Sequence, residues 1–362
     1  NNNLSEVASD VTIIPLGADP PINEFQIYNI ELTDDYVFLS NKSGIMQFGR
    51  EGNYIKNIGR EGMGPEEFIN ILAPLQIDRT NKLIYVNDIN RQRIIVYHFD
   101  GKFEKASAFR DGGYVKHLDH SRIALRQSLS ERERSGSPMI RFMDYDGNVI
   151  KTYRSHYYPI AKEEKELLGP DTSPLWNDRE TYYYLEYGTD TIFGISGESL
   201  IPSRVLTGDL KLSLEEHYHR NIGNKLRIIT YIQRPDAGVF ESDRFLIFRL
   251  SSDYERFFMV YDKMNNRLHR TFYTHAKEVR QGEKEMAHFT DDIISGLSFN
   301  PQYQSEGKAI ALIPAWEVCE RRQEVLDFIN RHPEYKQFEQ LKSVIQNLTD
   351  DDNPLMMLVT FK

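Results

Sequence analysis

Short apolar segments separated by polar turns recur along the whole chain. YVFLS (Tyr36 to Ser40) and GIMQF (Gly44 to Phe48) are followed by the polar segment Arg50 to Ile58. The same succession returns as LIYV (Leu83 to Val86) with RIIVYHF (Arg93 to Phe99), and as RIAL (Arg122 to Leu125) with MIRFMDY (Met139 to Tyr145). Fainter copies are Tyr182 to Glu186 with Thr191 to Ile195, and Phe245 to Leu250 with Phe257 to Tyr261. In the last, Ala309 to Ile313 meets its partner Leu355 to Phe361 only after a long interruption. Each pair is preceded by another β-rich segment, such as Tyr28 to Leu32 or Ala237 to Glu241. Repeats of roughly 40 to 50 residues, each too small to bury its own faces, predict four-stranded blades packed side by side. The expected fold is all-β: a six-bladed β-propeller of one domain. Its blades fall near 22–58, 70–110, 113–153, 174–210, 237–274 and 293–362. Val11 to Leu16 is a spare strand that would close the last blade and leave no open edge.

A four-stranded meander sorts its connections by face. Turns from the first strand to the second and from the third to the fourth are tight, as at Thr33-Asp34, Asp100-Gly101 and Asp146-Gly147. The long connections, 126–138, 158–176, 212–236, 275–290 and 315–353, all fall on the other face. Several show apolar residues three and four apart and predict helix, at Glu163 to Leu168, Leu214 to Asn221 and across 317–350, where Pro333 divides two segments. Loops gathered on a rigid scaffold are where recognition is usually built.

The stretch GREGMGPEEF (Gly59 to Phe68) resembles the glycine-rich blade-joining signature of a family of six-bladed propellers from Bacteroidetes, distantly similar to NHL-repeat proteins. VNDINRQRIIVY (Val86 to Tyr97) and the ending DDNPLMMLVTFK (Asp351 to Lys362) are similar to the family in the same way. The resemblance implies that Gly64 and Pro65 set a turn and that Asp88 with Arg93 ties a loop to a strand. It implies no common activity. Members look like exported proteins, often lipoproteins anchored through an N-terminal Cys. By that likeness a chain opening on Asn1 has lost its leader and belongs to the periplasm or cell surface.

Composition narrows the function. With 44 Lys and Arg against 54 Asp and Glu, the net charge of -10 disfavours nucleic acid as a partner. No run reaches the roughly 20 apolar residues of a transmembrane helix. The single Cys319 excludes intrachain disulfides and thiolate zinc sites. Neither a nucleophile elbow nor a His-Glu-x-x-His motif occurs, so no catalytic residue and no cofactor are expected. His217 and His219 beside Glu215 and Glu216, and the carboxylate run of Thr349 to Asn353, could hold a metal; an exposed helix face and a solvated turn are the preferred readings.

What remains is binding. Trp176 and Trp316 lie in or beside the long connections, as do Arg60, Arg91, Arg126 and Arg234. Indole rings offer stacking surface, and guanidinium groups grip carboxylates in a bidentate fashion. The leading expectation is a non-enzymatic propeller of the cell envelope that binds a glycan, peptide or partner protein through this face. Two rivals stay open. One is a carbohydrate- or ester-active enzyme of hydrolase, lyase or lactonase type at the channel mouth, by analogy of fold alone. The other is a purely structural protein.

Overall fold

The computed structural model of the chain describes residues 2–69, 71, 74–109, 114–119, 121–126, 140–154, 173–178, 181–186, 189–209, 223–228, 238–272, 287–331 and 337–362. Among them, six antiparallel four-stranded meanders form a six-bladed β-propeller. Blade 1 runs Asn29–Leu32, Tyr36–Asn41, Gly44–Gly49 and Tyr54–Ile58, from the channel outward. Blade 2 runs Gln76–Asp78, Leu83–Asp88, Arg93–His98 and Phe103–Ala108, and blade 3 uses Tyr114–His117, Ile123–Arg126, Ile140–Met143 and Val149–Tyr153. Blade 4 comprises Leu175–Asp178, Thr181–Leu185, Thr191–Ser196 and Ser199–Val205. Blade 5 comprises Val239–Glu241, Phe245–Ser251, Arg256–Asp262 and Arg267–Arg270, with a two-residue strand, Arg227–Ile228, beside its inner edge.

Blade 6 closes the ring. Its inner strands Tyr303–Ser305, Lys308–Ile313 and Leu355–Phe361 are completed from the other end of the chain by Ala8–Pro15. That strand pairs antiparallel with Leu355–Phe361, Val11 opposite Val359, so the expected closing strand is found where the pattern placed it. Closure pairs the edge that would otherwise be exposed.

The burial of each strand follows its place in the blade. The second and third strands lie between neighbouring blades on both faces, and their apolar runs are buried nearly end to end, as in Tyr36–Asn41 and Arg93–His98. Outermost strands face solvent and alternate or become polar, as Tyr54–Ile58 does. A register shift recurs between the third and fourth strands of blades 1 to 4. Such a bulge adds local twist, and it recurs at the same place in these four blades. Gly52 shows why one turn demands glycine: at φ +87° its Cβ would stand 2.0 Å from the Pro15 carbonyl oxygen of the closing strand.

The helical insertion sits in blade 6. Besides a short α1 (Leu4–Val7), the described helices are α2 (Ala315–Glu320), α3 (Arg322–Asn330) and α4 (Gln337–Asn347). Their buried residues Val318, Val325, Ile329, Leu341 and Ile345 join one apolar cluster with Leu355, Met357 and Val359, which fastens the insertion to the blade. The expected helices at 163–168 and 214–221 lie outside the described residues. None of the described helices is long and apolar enough to cross a membrane.

Candidate functional site

The glycine-rich segment that carries the family resemblance works as a blade joint. Phe68 is fully buried in the core between blades 1 and 2, and the Tyr97 hydroxyl donates to the Glu66 carbonyl at 2.5 Å. Arg93 donates to the carbonyls of Pro65 (2.8 Å) and Glu67 and pairs with Asp88 at 3.3 Å. Arg91 donates to the Gly64 carbonyl at 2.9 Å. Arg60 pairs with Glu67 at 2.6 Å while 81% of its side chain stays exposed. Glu67 also accepts from the Gly64 amide at 2.7 Å, and that bond, with burial opposing and Arg60 assisting, holds its carboxyl below the usual range. Two of the six sequence-derived candidates, Arg60 and Arg91, thus bond within this connector.

Trp176 is fully buried in the inner strand of blade 4. Its ring stacks on Tyr183 at 5.6 Å, and Nε1 donates to Glu241 of blade 5 at 2.9 Å. Glu241, its side chain wholly covered, is neutralised by Arg204 (2.6 Å) and Lys263 (2.7 Å). The residue therefore ties two blades together. Arg126 ends the second strand of blade 3, with its side chain outside the described residues, and Arg234 lies outside them entirely.

Trp316 is the candidate that meets a cavity. It is the second residue of α2, with 44% of its surface exposed, and it lines a cleft of about 810 Å³ on the insertion-bearing face. Ala311, Leu312 and Ile313 of a blade 6 strand line it too, and most of the rest of the wall comes from three connections. Glu24 and Phe25 precede blade 1; His288, Ser298, Asn300 and Gln302 precede blade 6; Pro314, Glu317, Arg321 and Glu324 belong to the insertion. Phe25 is 78% exposed, held by a three-residue 3-10 turn that Asn23 caps through the Phe25 amide at 3.1 Å. Arg321 is spent on Glu324 (3.0 Å) and the Gly296 carbonyl (2.9 Å), and His288 bonds Ser298 at 3.0 Å. Asn300 Oδ1 is buried with no hydrogen-bond partner among the described residues, an acceptor that asks for a donor. Phe25 and Asn300 escaped the sequence reading because they belong to no motif; the one signal was an aromatic residue in the polar stretch between two strands.

A second cavity of about 880 Å³ opens on the opposite face, at the channel mouth formed by the tight turns. It is polar, with the carboxylates Glu31, Asp34, Asp78, Asp119 and Glu306 and the cations Arg79, Lys116 and Arg122. Arg79 serves Glu31 and Glu306, both at 3.3 Å, and Arg122 serves Asp119 at 2.5 Å and Glu198 at 3.1 Å. Burial works against the charge on Asp119, but bonds from Arg122 and Ser121 outweigh it and bring its carboxyl to about 2. Beneath the rim His117 stacks on Tyr85 and hydrogen-bonds Tyr145; burial pushes its imidazole down to about 4.

His217 and His219 lie outside the described residues, and Asp352 accepts from the Thr349 amide at 2.7 Å and hydroxyl at 2.9 Å as a turn cap. Among the described residues no three His, Cys, Asp or Glu side chains converge as metal ligands do.

The fold and its blade joints define a six-bladed β-propeller. The chain belongs to the DUF4934 family, a domain of unknown function, matched over residues 1–360. Two solved structures extend the likeness. A protein of Bacteroides fragilis NCTC 9343, named by prediction as exported, is 14% identical with a TM-score of 0.69, covering 98% of this chain and 95% of its own. A member of the DUF4221 family from Bacteroides vulgatus ATCC 8482 is 12% identical with a TM-score of 0.46, covering 98% and 97%. No curated protein matches the chain. The first of these structures confirms the fold, and the expected kinship with Bacteroidetes propellers holds.

Proposed function

We propose that this chain is a non-enzymatic propeller of the cell envelope that binds a saccharide in the cleft between the blade 6 insertion and the segment leading into blade 1. The carrying observation is that Trp316 and Phe25, both exposed aromatics, line one cleft with the buried, unpartnered Asn300 Oδ1. A sugar ring presents an apolar C–H face that an aromatic ring can cover, and hydroxyl donors that a lone amide oxygen and carboxylates can accept. Glu24, Glu317 and Glu324 outnumber Arg321 in the lining, which favours neutral sugars over uronates. The name of the Bacteroides fragilis relative supports placement outside the cytoplasm.

The test is a titration of the purified chain with neutral oligosaccharides selected on a glycan array, repeated with Trp316→Ala and Phe25→Ala. Binding that each variant weakens about tenfold or more supports the cleft. Binding untouched by both variants, or an array blank for every neutral saccharide, overturns it.

A further inference from the structure

The channel mouth on the tight-turn face is a separate ligand site, and the geometry points to a small primary-ammonium compound as its occupant. The cavity, about 880 Å³, is built from the turns joining the first two strands of blades 1, 2, 3, 4 and 6, so its walls are strand ends rather than free loops. Sites held on strand ends are stiff. Its floor is a bond across the channel: Gln304 of blade 6 donates from Nε2 to the Asn177 carbonyl of blade 4 at 3.0 Å. The other end of that amide, Gln304 Oε1, is buried without a partner among the described residues. An orphaned acceptor in a polar cavity calls for a donor from whatever fills it.

The charge of the walls says which donor. Carboxylates outnumber cations there by five to three, and the cations Arg79 and Arg122 are already engaged by Glu31, Glu306, Asp119 and Glu198. Asp34 has no hydrogen-bond or ion-pair partner among the described residues, and Asp78 is bonded only by Asn81, through the backbone amide at 2.9 Å and Nδ2 at 2.7 Å. Asp34 and Asp78 make no ion pair among the described residues, and with five carboxylates against Arg79, Lys116 and Arg122 the mouth of the pocket favours a cation. Tyr182 adds a hydroxyl at the wall, raised in pKa by burial and so kept protonated as a neutral hydrogen-bonding group. An ammonium group supplies three donors on one positive centre, which suits walls rich in carboxylates and amide oxygens. An amino sugar and the amino terminus of a peptide share this chemistry.

The experiment separates those two sources and separates this site from the saccharide cleft. Glucosamine and glycinamide are titrated into the chain by calorimetry or ligand-observed NMR, each beside its neutral twin, N-acetylglucosamine or N-acetylglycinamide. Every titration is repeated in Trp316→Ala, which leaves this mouth intact. The expected result is that at least one amine binds while its acetylated twin does not, with the same affinity in Trp316→Ala. Affinity should fall about tenfold in Asp34→Asn, an exposed turn position whose replacement leaves the fold alone, and should weaken as salt is raised. Tyr182→Phe, a second variant that keeps the ring, should weaken binding a few-fold. Equal binding of the acetylated twins, an affinity unchanged by Asp34→Asn, or no binding of either amine overturns the assignment. Loss of amine binding in Trp316→Ala overturns it as well, since the amine would then sit in the other cleft.

Discussion

The surroundings of the two tryptophans differ in every respect that decides a role. Trp176 is closed in between blades 4 and 5, stacked on Tyr183 and donating to a charged carboxylate that two cations neutralise. Trp316 stands at the start of a helix on the rim of a cleft, with another exposed aromatic in the same wall. An indole that finds a partner for its N–H and neighbours for both ring faces holds architecture; one left half uncovered beside an orphaned acceptor is available to a ligand. Residue type and nearness to a long connection cannot tell these cases apart. Burial and hydrogen-bond accounting can.

The sharpest way to break that contrast is Trp176→Ala. It removes the largest side chain of the blade 4–5 joint and takes the Nε1 donor from Glu241, so unfolding free energy should fall by about 3 to 5 kcal/mol. Chemical denaturation followed by tryptophan fluorescence from Trp316 measures it; a loss under about 1 kcal/mol would mean the joint is not built on this ring. Glu241→Gln tests the same joint from its charged side. The amide can still accept from Trp176, but Arg204 and Lys263 lose their countercharge in a partly covered setting, and a cost of about 2 to 3 kcal/mol is expected.

How much of this could be read from sequence follows from which interactions are local. Paired β-rich segments such as Leu83 to Val86 with Arg93 to Phe99 announce themselves, because strands buried on both faces must be continuously apolar. The closing strand was legible for a topological reason: a last blade lacking its outer strand needed one, and Val11 to Leu16 was the unassigned candidate. Helices 315–330 and 337–347 followed from their period. The sites were less legible. Arg60 looks free in the glycine-rich run and Arg91 in a turn of blade 2, yet the run folds back and its Glu67 and carbonyls take them up. The polar channel mouth was hidden because its residues come from short turns in five different blades, and no spacing along the chain marks residues that meet only through the ring.

A titratable counterpart of the Trp176 joint lies between blades 2 and 3, where Tyr85, His117 and Tyr145 pack as a stack. Burial keeps His117 neutral, against the pull of Asp78 and Asp119 and with the help of Lys116 and Arg79, and its imidazole titrates near 4 rather than 6.5. The unfolded chain therefore binds a proton there between those values and the folded chain does not. Stability contributed by the neutral ring is complete above pH 6.5 and lost as pH falls toward 4. The expected slope amounts to roughly 2 kcal/mol across that window, and His117→Phe should flatten it. A wild-type profile unchanged by that substitution would show that other groups set the acid limb.

The smallest stability effect belongs to the residue with the largest expected effect on binding, and that inversion completes the contrast between the tryptophans. Trp316→Ala removes a ring that is nearly half exposed, at the second position of α2, where alanine is an excellent helix former. The anchoring of the insertion rests on Val318, Val325 and Ile329, which the substitution leaves in place. Unfolding free energy should change by less than about 0.5 kcal/mol, while saccharide binding in the cleft should fall about tenfold or more. Trp316→Phe keeps an aromatic face and should recover most of that loss. Denaturation and titration of the same three proteins decide it: a Trp316→Ala chain that unfolds as easily as Trp176→Ala would make both tryptophans architectural, and the cleft would then have no stacking surface but Phe25.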